Sequence, residues 1–400
     1  MESVLDLVCK TENFPDGQKI MEAWVRYSRP IRPDSVTTDT YCIQGRTVEK
    51  VTVAGDTVCI RLREKEPYAT VLPTRSEEPK GDHPHLHRRP IELNVRQVFP
   101  IRDIHGKTFA AWENWQRNTR SIEPVIEEFR QWEYESLKYN LYSPRQSREE
   151  KYPLVVFLHD ARPCSDDPKV TLSQGDGAVC WAEKQWQQRH PCFVLAPQVA
   201  SVMANDNFEV TEDLEKIHDL INHVVRSYPI DPGRVYITGQ SMGCMAACEL
   251  LSRYPGLFAA GLLAAGQWSP ERMKACRDSS LWVLVSEDDI KAFPGMNAVM
   301  NAIESMGAAV SRGVWDAKAP DLDKLVQAQA PESRIHYTVF QGSSVVPPEE
   351  PAHPGTNHEY TWRVVYRIDG LKEWLFRQTR EPLSKPSGGK PKSLSFPSVI

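Results

Sequence analysis

Arg234-Val-Tyr-Ile-Thr-Gly-Gln-Ser-Met-Gly-Cys-Met-Ala-Ala-Cys-Glu-Leu-Leu251 joins a β-type run to a helical run through Gly239-Gln-Ser-Met-Gly243. A serine held between a strand and a helix sits on a tight, strained turn, and a glycine two residues to either side removes the Cβ atoms that would collide there. The turn lifts the Ser241 hydroxyl clear of the backbone. The Met242 N–H, at the start of the helix, then points to where an oxyanion would form. A G-x-S-x-G alone is a modest signal, because chance produces many, but a strand before it and a helix after it make Ser241 a candidate nucleophile rather than a structural turn.

The segments around it have the matching periods. Leu154-Val-Val-Phe-Leu, Phe193-Val-Leu-Ala and Leu281-Trp-Val-Leu-Val are continuous apolar runs bounded by Pro, Asp or Ser, as expected of parallel strands buried on both faces. Leu137-Lys-Tyr-Asn-Leu-Tyr alternates, as a half-covered strand does. Helical spacing is read in Thr211–Ser227, Met242–Arg253 and Gly295–Met306, with a further helix expected at Trp362–Phe376. Strands alternating with helices predict an α/β fold with a doubly wound, mostly parallel sheet.

In such a sheet an acid and then a histidine follow the serine, each on a loop after a strand. The run Leu281–Val285 leads into Ser286-Glu-Asp-Asp-Ile-Lys, which offers Asp288 and Asp289. Three histidines lie downstream. His336 alternates within a strand-like stretch and His353 precedes a proline, whereas His358 is expected on a loop just before a helix, where it can return to Ser241. The second oxyanion donor is expected on the loop after Leu154–Leu158, at Asp160 or Ala161, with His159 bracing that loop.

Residues 21–111 read as β-structure, from alternation in Met21–Tyr27, Thr47–Val53 and Thr57–Leu62, an Ala54-Gly-Asp turn, and further strands at Ile91–Val98 and Lys107–Trp112. His83, His85 and His87 alternate in a polar, proline-bearing segment; extended, they could face one side and hold a metal, but Arg88-Arg89 repels a cation and a solvated loop is the reading adopted, with no metal and no cofactor. Pro124–Tyr134 is read as a connecting helix without a Gly/Ser linker. The expected organisation is an immunoglobulin-like β domain plus connecting segment over 1–133, a catalytic domain over 134–380 and a disordered tail over 381–400.

Forty-eight Lys+Arg against 53 Asp+Glu leave a net charge of −5 over 400 residues, so there is no global positive field for nucleic acid or an anionic membrane. No window approaches 18 consecutive apolar residues, and Met1-Glu-Ser-Val-Leu-Asp lacks the basic start of a secretory signal. Nine cysteines without CxxC spacing read as free thiols. The expected location is cytoplasmic, and the expected partner is a small molecule.

Taken together, His159-Asp-Ala, Gly177-Ala-Val-Cys-Trp-Ala-Glu, Pro191–Gln198, Ile230–Gly243, Ser286–Met296 and Asn357–Trp362 resemble the α/β-hydrolase group related to polyhydroxybutyrate depolymerases and prolyl oligopeptidase-type predicted peptidases. Over roughly residues 10–380 the chain is similar to carboxylesterases of that group with an N-terminal immunoglobulin-like domain. The resemblance implies an α/β-hydrolase fold behind a small all-β sandwich, a Ser241–Asp289–His358 triad, and cleavage of a carboxylic ester through an acyl-enzyme. Two positions depart from the family pattern: its oxyanion loop begins His-Gly where this chain has His159-Asp160, and its acid is commonly Gly-Asp where this chain has Asp288-Asp289. A hydrolase, thioesterase or cyclase acting on a biosynthetic acyl intermediate is the second reading, and a non-catalytic binding protein the third. Trp181, Gln240, Phe293 and Tyr360 are the candidates for lining the substrate pocket.

Overall fold

A computed structural model describes residues 4–74, 77–78, 85–145 and 151–380 of the chain. The tail expected at 381–400 and His83 lie outside the described residues. Nine strands form the main sheet: β1 (Arg130–Tyr134), β2 (Leu137–Tyr142), β3 (Tyr152–Leu158), β4 (Phe193–Gln198), β5 (Ile230–Gln240), β6 (Ala260–Ala264), β7 (Leu281–Ser286), β8 (Val310–Trp315) and β9 (Ile335–Phe340). Their spatial order is β1-β2-β4-β3-β5-β6-β7-β9-β8. β2 runs antiparallel to both neighbours, and every other pairing is parallel.

Each run read as continuously apolar is a strand buried along its whole length, because helices cover both faces of the sheet. One face packs Leu154, Val156, Ile237, Leu263 and Val283 against the helices Asp213–Ser227, Met242–Arg253 and Ala292–Ser305. The other packs Val155, Phe157, Tyr236, Leu262 and Trp282 against Pro354–Val365 and Asp369–Arg377. Strand order reverses at β3, which lies between β4 and β5. In open α/β sheets the crevice at the carboxyl ends of such strands is where ligands bind.

Four expectations for the connecting segment and the C-terminal helices need correction. Pro124–Tyr134 is not a helix: Val125 takes φ +68°, a 3₁₀ turn covers Ile126–Glu128, and Arg130–Tyr134 is strand β1. The boundary expected at 133/134 therefore falls inside β1, which belongs to the main sheet. The helix expected at Trp362–Phe376 is two helices, Pro354–Val365 and Asp369–Arg377. His353 caps the first, accepting from the Thr356 N–H at 3.3 Å, and Pro354 occupies the first turn, where its missing N–H costs nothing. His358 accordingly lies on that helix and not on a loop before it.

The N-terminal region is β-rich. Val4–Phe14 and Gly17–Tyr27 pair antiparallel, Thr57–Leu62 and Val48–Ala54 extend the sheet, and Arg120–Ile122 returns to lie parallel to Val4–Phe14. Tyr41–Ile43, Asn94–Gln97 and Gln116–Arg117 form a second sheet. Leu7, Ala23, Val25, Val58 and Ile60 share a core with Tyr41, Ile43 and Val95. Tyr27 crosses it, donating to Gln97 Oε1 at 2.6 Å. The expected strand at Lys107–Trp112 is limited to Thr108–Phe109.

This region is fastened to the main sheet's loops by buried polar contacts. Leu86 N donates to Cys164 O at 3.0 Å, Ser165 Oγ to Leu86 O at 2.5 Å, and Ser173 Oγ to Gln18 Oε1 at 2.9 Å. Glu123 accepts from Gln18, Arg88 and Lys169. Among the described residues no helix is long and apolar enough to cross a membrane.

Candidate active site

Ser241 stands between β5 and the helix Met242–Arg253 at φ +51°, ψ −119°, a backbone conformation that L-residues rarely adopt. The flanking glycines permit it. A Cβ on Gly243 would collide with the carbonyls of Leu158 and His159, and one on Gly239 with the Gly243 carbonyl, so strand β3, strand β5 and the helix approach each other at distances no side chain allows.

The loop after β7 supplies Asp289. Its Oδ1 accepts from the Lys291 and Ala292 N–H groups at 3.1 and 3.0 Å, and its Oδ2 lies 2.5 Å from His358 Nδ1. Burial opposes ionisation of this carboxyl, but the His358 contact and the two amides outweigh it and hold the group below the usual carboxylate range. Asp288 is exposed and accepts from Ser343 Oγ at 2.7 Å instead. Of the two adjacent acids, the structure brings Asp289 to the histidine.

His358 projects from the first turns of Pro354–Val365, and its Nε2 lies 2.8 Å from Ser241 Oγ. His336 is buried in β9 with its ring stacked on Trp282, 4.3 Å between centroids. Ser241 and His358 open onto a cavity of about 280 Å³ walled by Ala161, Met242, Met245, Ala265, Gly266 and Ala292. Ala161 and Met242, both expected as oxyanion donors, thus line the cavity of the serine. The Asp160 carboxylate is turned away from it, towards Gln240 and the Arg162 amide.

None of the four residues read as pocket candidates lines that cavity. Trp181 is wholly buried, its indole N–H donating to Gly177 O at 2.9 Å and its ring stacked on Phe376. Gln240 is buried beneath the serine, and Phe293 packs against the main core. Tyr360 lines a separate cavity of about 270 Å³ at the junction with the N-terminal region, alongside Gln18 and Arg162. The rim of the Ser241 cavity is instead made by Asn205, Asp206, Gln267 and Lys291. Asp206 ties this rim together, accepting from Gln267 Nε2 at 2.8 Å and Lys291 Nζ at 2.5 Å. The signal for these residues was positional only: they lie on loops following β4, β6 and β7. Among the described residues no group of three His, Cys, Asp or Glu side chains is arranged to hold a metal, and His85 lies 3.6 Å from Asp166.

Residues 137–319 match the model of the Esterase PHB depolymerase family. The crystal structure of a thermostable esterase superposes with a TM-score of 0.78 at 23% identity, over 94% of this chain and all of that one. The chain has the α/β-hydrolase fold, and its residues 137–319 are similar to the PHB depolymerase esterases. A shorter likeness, 40% identity over 50 residues, links the hydrolase to acetylxylan esterase A of Emericella nidulans; it covers 12% of this chain and 16% of that relative. In serine hydrolases the usual nucleophile is a hydroxyl activated by an imidazole.

Proposed function

We propose that this hydrolase cleaves a carboxylic ester through an acyl-enzyme, with Ser241 as nucleophile, His358 as general base and acid, and Asp289 as the orienting carboxylate. The observation that carries this reading is the unbroken chain from Ser241 Oγ through His358 (2.8 Å at Nε2, 2.5 Å at Nδ1) to a buried aspartate. With Nδ1–H donated to Asp289, Nε2 is free to accept. As Oγ attacks the ester carbonyl, its proton passes to Nε2 and charge develops on the carbonyl oxygen. The N–H groups of Met242 and Ala161 receive that oxyanion. Collapse breaks the bond to the alcohol oxygen, which takes the proton from Nε2; water then repeats the sequence on the acyl-enzyme, releasing the acid and returning the proton to Oγ.

The cavity favours a short acyl group, because alanine and glycine make much of its wall and its 280 Å³ lies at the lower end of small-molecule pockets. The N-terminal region is read as an immunoglobulin-like sandwich that braces the catalytic loops and supplies no chemistry. A panel of p-nitrophenyl esters with a fluorophosphonate label tests the function. Turnover of acetate and butyrate above dodecanoate, with the label on Ser241, is expected; labelling at another residue would overturn the triad.

A further inference from the structure

We propose that Asp160 is a positioning residue that sets the spacing of the two oxyanion donors, and that Arg162 extends this hold to the N-terminal region. The inference rests on the reading of Ser241 as nucleophile. Asp160 Oδ1 accepts from the Arg162 N–H at 3.0 Å, closing a short turn with Ala161 at its apex. Asp160 Oδ2 accepts from Gln240 Nε2 at 2.7 Å, and Gln240 immediately precedes Ser241 and Met242. One carboxylate therefore joins the loop carrying the Ala161 N–H to the strand end carrying the Met242 N–H. Where those two donors stand relative to each other decides how well they meet a tetrahedral oxyanion, since such donors act only within a few tenths of an ångström of their working distance.

The loop is held from behind as well. His159 is wholly buried; its Nδ1–H donates to the Asp160 carbonyl at 2.7 Å and its Nε2 accepts from the Val199 N–H at 3.1 Å, which fixes one tautomer. Burial lowers the pKa of this imidazole, so it stays neutral and keeps that donor–acceptor pattern. On the outer side Arg162 donates through Nε to Glu78 Oε1 and through Nη2 to Pro73 O, both at 2.6 Å. The N-terminal region thus grips the residue next to Ala161 with a side chain whose planar fork suits two acceptors at once.

The carboxylate is also placed so that its charge does least harm. Both oxygens are engaged by N–H donors, and it is Ala161, not Asp160, that lines the cavity of the serine. An asparagine would keep the shape of Asp160 but would set an NH₂ group against either Gln240 Nε2 or the Arg162 N–H, so one of the two ties is lost.

The test is kcat per titrated active site on p-nitrophenyl acetate, with affinity for an aryl trifluoromethyl ketone, whose hemiketal oxyanion occupies the donors. Asp160→Ala is expected to lower kcat about 10²-fold, the scale of losing one oxyanion donor, with KM within about threefold and ketone affinity falling in parallel. Asp160→Asn should fall between it and wild type. Arg162→Ala should lose about tenfold, and Arg162→Lys, which keeps the charge but not the fork that meets Glu78 and Pro73 together, should recover only part of that. Should Asp160→Ala fail to fold, Asp160→Asn is judged by the same criteria. A kcat per titrated site within twofold of wild type would overturn the proposal even if the fraction of active protein or the melting temperature fell, because that pattern belongs to a purely structural residue. Wild type that does not titrate at Ser241 would instead overturn the triad reading.

Discussion

The Nε2 atom of His358 stands 2.8 Å from Ser241 Oγ across 117 residues of chain. Ser241→Ala removes one oxygen from this contact and leaves the turn's backbone as it was. Turnover is expected to fall on the order of 10⁶-fold, leaving what binding and the oxyanion donors supply. Fluorophosphonate labelling should vanish at an unchanged melting temperature.

The two adjacent acids should differ sharply. Asp289→Asn keeps the shape but reverses the tautomer offered to Ser241, with an expected loss of about 10⁴-fold in kcat. Asp288→Asn disturbs only an exposed contact to Ser343, and its effect should stay within about twofold. Steady-state rates of the two variants give the ranking.

Gly243→Ala tests the close approach of strand and helix. The added methyl would meet the Leu158 and His159 carbonyls, backbone atoms that cannot rotate aside. Loss of soluble protein, or of labelling with a lowered melting temperature, is expected; a stable, fully active variant would show that the turn is looser than described.

Glu123 joins the N-terminal region to the main sheet's loops, and its environment gives stability a predictable pH dependence. Burial raises its pKa, but Gln18, Arg88 and Lys169 outweigh that and leave it below the ordinary 4.5. A depressed carboxyl contributes stability that is present above 4.5 and is lost as pH falls below it through the folded value. Glu123→Gln should cost about 2 kcal/mol at pH 7, less than a fully buried pair, and should flatten the fall in stability below pH 4.5. Urea midpoints measured against pH provide the comparison.

What could be read from the sequence was local. The strand, Ser241 and the helix follow from a few adjacent residues whose backbone needs are met only by glycine, and the buried strands follow from unbroken apolar runs. The hairpin of β1 and β2 was invisible because its turn is Glu135-Ser136, both at positive φ, without the Asn-Gly or Asp-Gly that normally marks such a turn. The start of the histidine's helix was missed because His353 caps it where Ser, Thr, Asp or Asn is the usual signal. The cavity was illegible for a different reason. Asp206, Gln267 and Lys291 meet only once the sheet is assembled, whereas Trp181 has the composition of a pocket residue and the position of a core one.

The parallel pairing of Val8 with Arg120 and Cys9 with Ser121 has a bearing on how the chain is made. Once residue 122 has emerged from the ribosome, every described strand of the N-terminal sheet is present, and N-terminal units generally fold first during synthesis. The chemistry arrives far later. Strand β9 and the helix bearing His358 come near the end of the described chain, so a nascent chain interrupted anywhere in between carries a finished front and an exposed serine turn without its base. Such a product would be recognised by antibodies to the N-terminal region and would be silent to an active-site label.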